Sequence, residues 1–174
     1  MFMTDRLPPA PPAIIQKAES FRRAPSLPDN ASRWLNAGGK APLFERGRVY
    51  VLAFWTHGCI NCKRTLPYWN EWARRFGGTS GVDVLSIHTP EGQWERDRRG
   101  IEQSIREQGL RFPVLIDNDH AVWDAYGVNA WPTTVVIDKH GRIRRTWEGE
   151  LNWNDSHAYQ AVERLIATLQ KERL

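Results

Sequence analysis

Cysteine is scarce in this chain: Cys59 and Cys62 are the only two in 174 residues. Two cysteines exclude a disulfide scaffold, and no second pair exists to complete a four-cysteine zinc site. Long apolar runs are also absent, since none approaches the roughly 20 residues that cross a bilayer. Met1–Pro9 lacks the basic start, apolar stretch and small-residue cleavage site of a secretory signal. The expected compartment is therefore cytoplasmic, or extracytoplasmic if a leader had been removed. Charge of one sign never gathers into a stripe: the net charge is +4, and Arg22-Arg23, Arg74-Arg75, Arg98-Arg99 and Arg144-Arg145 are short, separated pairs among interleaved acids. Such pairs read as solvated faces rather than a nucleic-acid footprint. No internal repeat or low-complexity tract is visible.

What is present suits one packed domain with extra length at its start. Two fifths of the residues are hydrophobic and nine are tryptophan, enough for a sizeable core. Residues 1–32 read as a proline-rich arm, with one helix-capable piece at Ile14–Arg23, because proline removes amide donors and favours extended backbone. Residues 33–174 read as the domain, with order expected to begin near Arg33. Ala37-Gly38-Gly39 suggests a small hairpin joining Arg33–Asn36 to Pro42–Phe44. Short β-rich runs then alternate with helical periods, the pattern of an α/β sheet. Strands are expected at Val49–Trp55, Val82–His88, Phe112–Ile116, Thr133–Asp138 and Arg142–Trp147. Helices are expected at Cys59–Phe76, interrupted by Pro67, and at Trp94–Gln108, Ala121–Tyr126 and a C-terminal stretch capped by Asp155-Ser156.

Cys59-Ile60-Asn61-Cys62 leaves an apolar strand and enters helix-like sequence. Cysteines at i and i+3 on a first helical turn share a face, with α-carbons about 5–6 Å apart, which suits a disulfide that opens and closes.

Pro67, Tyr126-Gly127-Val128-Asn129-Ala130-Trp131-Pro132-Thr133 and a terminal hairpin with Gly141 and Gly149 accompany the pair. In this order and spacing the chain, from about Arg33 to Gly149, resembles thioredoxin. Trp34-Leu35-Asn36, Cys59-Ile60-Asn61-Cys62, His88-Thr89-Pro90-Glu91, Asp117-Asn118-Asp119 and Trp131-Pro132 are most similar to one subgroup. It comprises the thioredoxin-like domains attached to membrane thiol transporters of the DipZ type and those that precede NHL-repeat propellers. The resemblance implies a thioredoxin fold, a central mixed β-sheet flanked by helices, here with an N-terminal extension. It also implies a thiol–disulfide oxidoreductase acting on protein or small-thiol disulfides with a separate electron donor or acceptor. No cofactor and no metal are expected, because the electrons reside in the thiols.

On this reading Cys59, at a helix start where the dipole and free amides favour a thiolate, is the nucleophile, and Cys62 resolves the mixed disulfide. Pro132, cis by resemblance, and Trp131 are the expected substrate-binding residues; Trp131 reads equally as a groove wall or a core side chain. Asn61 stands where thioredoxin has a proline, and Ala53 where thioredoxin carries a carboxylate that takes the resolving thiol's proton; Thr65 stands where some extracytoplasmic relatives carry one. His57 and Glu91 are the candidates to tune the thiols in its place. A copper or zinc module built on the same cysteines is one rival. A thiol peroxidase is another; Thr56 lies three residues before Cys59 as that chemistry needs, but Leu52 occupies the place of its proline.

Overall fold

The computed structural model describes residues 21–78 and 80–174. Val49–Trp55 forms strand β2, buried at every position, as a central strand covered on both faces must be. Its odd-numbered side chains, Val49, Val51, Ala53 and Trp55, enter one core layer with Leu66, Trp69 and Trp72 of helix α1 (Ile60–Phe76), Ile101 of α2 (Arg98–Gln108) and Val162, Ile166 and Leu169 of α4 (Ala158–Lys171). The intervening Tyr50, Leu52 and Phe54 enter a second layer with Val122, Trp123 and Tyr126 of α3 (Ala121–Tyr126). Alternation along one strand thus divides the core in two.

Among the described residues six strands form one mixed sheet, ordered β1-β4-β3-β2-β5-β6. Strands β2, β3 (Val82–His88) and β4 (Val114–Ile116) are parallel. Strands β5 (Thr133–Ile137) and β6 (Ile143–Glu148) run antiparallel beyond β2, and β1 (Trp34–Leu35) pairs antiparallel with β4. With helices on both faces this is the thioredoxin fold. The parallel β2–β3 register puts Trp55 beside His88, and the antiparallel register puts Phe54 beside Thr133. The loops after β2 and β3 and the loop before β5 therefore meet at one end of the sheet.

Several local expectations change. Trp34–Leu35 pairs with Leu115–Val114 and not with Pro42–Phe44; Asn36 Nδ2 donates to the Leu110 and Phe112 carbonyls (2.9 and 3.0 Å), drawing the segment to the far margin. The expected helix at Trp94–Gln108 divides into a 3₁₀ turn, Gln93–Arg96, and α2, because Asp97 is extended and accepts the Arg99 amide as N-cap. Helix α1 carries Pro67 within its continuous span. Helix α4 is entered from His157 in the left-handed region, without a side-chain cap; Asp155 lies in the preceding 3₁₀ turn.

The first twenty residues, which include most of the expected arm and of its helix-capable piece, lie outside the described residues. Structure is present well before Arg33. Arg23 bridges to Arg142 beside β6, Leu27 is buried, and the Pro25 and Pro28 carbonyls accept from Tyr126 Oη (2.6 Å) and Trp34 Nε1 (2.9 Å). Among the described residues no helix is long and apolar enough to cross a membrane.

Candidate active site

Cys59 is the N-cap of α1: its backbone is extended (φ −87°, ψ 117°) and its sulfur accepts the Cys62 amide at 3.1 Å. An N-cap sulfur takes up one of the amides that a helix start leaves unpaired. Both cysteines are free thiols, Cys59 half-buried and Cys62 buried. Their environments drive them apart. A hydrogen bond from the Cys62 thiol, helped by the Cys62 and Asn61 amides against partial burial, lowers Cys59 to about 7. Burial first, and then that same hydrogen bond, pushes Cys62 far above the ordinary thiol range. One sulfur is thus prepared to ionise near neutral pH while the other holds its proton.

The turn into the pair is tightly covered. A Cβ on Gly58 would collide with Glu95 Oε1 and with the Trp94 indole. Trp94 is itself exposed, as is Ile60 on the other side of Cys59. His57 packs on His88: its Nδ1 lies 3.0 Å from His88 Nε2, the two rings stack, and Trp94 packs edge-on against it. Burial lowers the His57 pKa, which works against the positive charge expected of it. His88 is fully buried and is held by burial and by His57 at about 3.

Glu91 is exposed, and its charge raises Cys59. The buried carboxylate of this loop belongs to Glu95, 2% exposed. Its Oε2 accepts the amides of Glu91 (2.6 Å) and Gly92 (3.2 Å). Sequence offers little to single it out, since Trp94-Glu95-Arg96-Asp97 reads as a charged helical face. Ala53 and Thr65 are both buried, and Thr65 Oγ1 faces the Leu151 amide at 3.4 Å.

The Trp131–Pro132 peptide bond is cis. Trp131 is half-buried, packs on Trp123 with ring centroids 4.2 Å apart and planes tilted by 30°, and donates from Nε1 to the Thr89 carbonyl at 2.8 Å. Pro132 is buried, and its carbonyl accepts the Gly149 amide at 2.8 Å. Thr56 Oγ1 is buried at 3.3 Å from His88 Nε2, and Leu52 is buried in β2. Among the described residues no three His, Cys, Asp or Glu side chains gather to hold a metal ion.

A thioredoxin fold that presents a free Cys-x-x-Cys pair at the start of α1 defines a domain of the thioredoxin-like class. Comparison with known proteins places it more closely: the chain belongs to the AhpC/TSA family, which matches residues 38–146. It is 33% identical over 139 residues to Protein DipZ of Mycobacterium tuberculosis, covering 78% of this chain and 20% of DipZ. It is 34% identical over 110 residues to the thiol-disulfide oxidoreductase ResA of Geobacillus thermodenitrificans, covering 63% of this chain and 60% of ResA. Among solved structures, a thiol-disulfide isomerase of Corynebacterium glutamicum superposes with a TM-score of 0.68 at 22% identity, over 86% of this chain and 98% of that one; at that identity the likeness shows the fold.

Proposed function

We propose that the chain catalyses thiol–disulfide exchange on protein or small-thiol disulfides, with Cys59 as nucleophile and Cys62 as resolving thiol. The observation that carries this reading is the division of labour between the sulfurs. The half-buried Cys59 is lowered to about 7 while the buried Cys62 is raised. The Cys59 thiolate attacks a partner sulfur, forming a mixed disulfide and releasing the partner's other thiolate. Cys62 then attacks Cys59, which frees the second partner thiol and leaves the Cys59–Cys62 disulfide. A donor or acceptor outside this chain returns the pair to its starting state.

The loop of Trp131 and Pro132 guides the substrate. The β2–β5 register brings it to the sheet end from which Cys59 departs, and proline presents no amide there to compete with an extended substrate strand. No nucleic-acid partner is proposed. The cytoplasmic expectation rested on the first residues alone and is not carried forward, since one of the similar structures is that of a secreted M. tuberculosis disulfide oxidoreductase.

The test is a redox titration of the purified protein against glutathione or dithiothreitol, counting thiol labels by mass spectrometry and assaying metal on the same sample. A reversible transition between two labels and none, in metal-free protein, is the expected result. Failure to form the Cys59–Cys62 disulfide, or thiols protected by a stoichiometric metal, would overturn the reading.

A further inference from the structure

Resolution requires Cys62 to give up a proton in a buried site, and neither Ala53 nor Thr65 can take it. We propose that the Glu95 carboxylate accepts the Cys62 proton as that thiol attacks the mixed disulfide, a role that rests on the exchange reading above. Glu95 reaches the site from the loop after β3, not from β2 or α1. Its Oε2 is fixed by the Glu91 and Gly92 amides, while Oε1 lies over Gly58 closely enough that a Cβ there would strike it. Capping the 3₁₀ turn would account for the two amide bonds. It accounts for neither the burial nor the direction of Oε1, which faces the turn that delivers Cys59.

The electrostatics agree with this placement, because the charge of Glu95 acts on Cys62 and raises it further. The same charge acts on His57. The other titratable and charged groups around this corner are Cys59, Lys63, Glu91 and Asp97, with His88 behind His57. Among them Glu95 is the carboxylate that is both buried and directed at the active-site turn.

The step balances. The proton passes from Cys62 Sγ to the Glu95 carboxylate, and the Cys62 thiolate attacks Cys59 Sγ. The Cys59–Cys62 bond forms as the bond from Cys59 to the partner sulfur breaks. The departing partner thiolate takes up the proton from Glu95 or from water. Two protein thiols are oxidised and one partner disulfide is reduced.

The experiment uses the full chain with Cys59 first joined to thionitrobenzoate, so that release of the coloured thiolate reports the Cys62 attack. Glu95→Gln keeps a carboxamide oxygen for the two amides but removes the base. Release is expected to slow on the order of 100-fold near neutral pH. The deficit should narrow as rising pH ionises Cys62 unaided, with the alkylation profile of Cys59 little changed. Added formate should partly restore release in Glu95→Ala. An unchanged release profile in Glu95→Gln, or a loss equal at every pH and deaf to formate, would overturn the proposal. In the unsubstituted protein, release should slow in heavy water; equal rates in both solvents would overturn it whether or not the variants fold. Absence of release from the unsubstituted protein would instead sink the exchange reading.

Discussion

At the scale of single residues, the half-buried Cys59 thiol governs the entry into reaction. Its lowered pKa predicts that alkylation by iodoacetamide rises to half its maximum near pH 7 and falls below that pH, whereas an ordinary thiol would reach half only near 8.5. A mass-spectrometric pH profile of the Cys62→Ser variant, compared with the native pair, would also show how much of the lowering depends on the Cys62 hydrogen bond. Gly58 gives a second prediction. Gly58→Ala must displace Trp94 and Glu95, which should cost about 1–3 kcal/mol in urea unfolding and slow exchange.

His88 gives a third, with a definite sign. Its folded pKa, about 3, lies below the ordinary 6.5. Above pH 6.5 neither state binds the proton, whereas between 6.5 and 3 the unfolded chain takes it up first. Stability should therefore fall as pH falls through that window, by at most about 1.4 kcal/mol per pH unit from this group. His88→Gln should flatten that dependence. The cysteines and Pro132 could be read from sequence because their chemistry is local and their spacing is fixed. Glu95 and His88 could not, because burial of a polar side chain is decided by what packs over it.

At the scale of elements, the strands and helices with strong local punctuation lie where periodicity puts them. Val49–Trp55, Val82–His88 and Ala121–Tyr126 coincide with the expected spans, the last ended by Gly127 in the left-handed region (φ 66°), where glycine carries no Cβ penalty. The long charged stretch from Trp94 to Gln108 was the harder case. Its helical period runs unbroken through Asp97, and only the cap geometry shows that α2 begins there. Asp97→Ala should consequently lower stability by about 1 kcal/mol, measured as a shift in thermal midpoint, while leaving Cys59 alkylation unchanged. The pairing of β1 was illegible for a different reason. Two residues carry no period, and their partners in β4 lie 79 and 81 positions along the chain.

At the scale of the whole molecule, residues 21–35 behave as part of the domain. Removing the chain through Pro28 would expose the Leu27 site and strip the partners of Tyr126 Oη and Trp34 Nε1. A loss of about 2–4 kcal/mol in urea unfolding is expected. Alternating α and β patterns conveyed the sheet and its helices, but not where a proline-rich segment would lie on them. Proline fixes local conformation and leaves the docking site to be chosen by tertiary contacts.

The route of that segment has another consequence. Arg23 touches the chain beside β6 at one margin of the sheet, and β1, eleven residues on, closes β4 at the other. A single strip of chain thus covers the start of β6 at one margin and pairs with β4 at the other, where its own exposed side is a strand only two residues long. Loss of the strip as far as Leu35 would uncover the outer edge of β4, so a chain shortened past that point should reveal itself first as a protein that associates with its own kind.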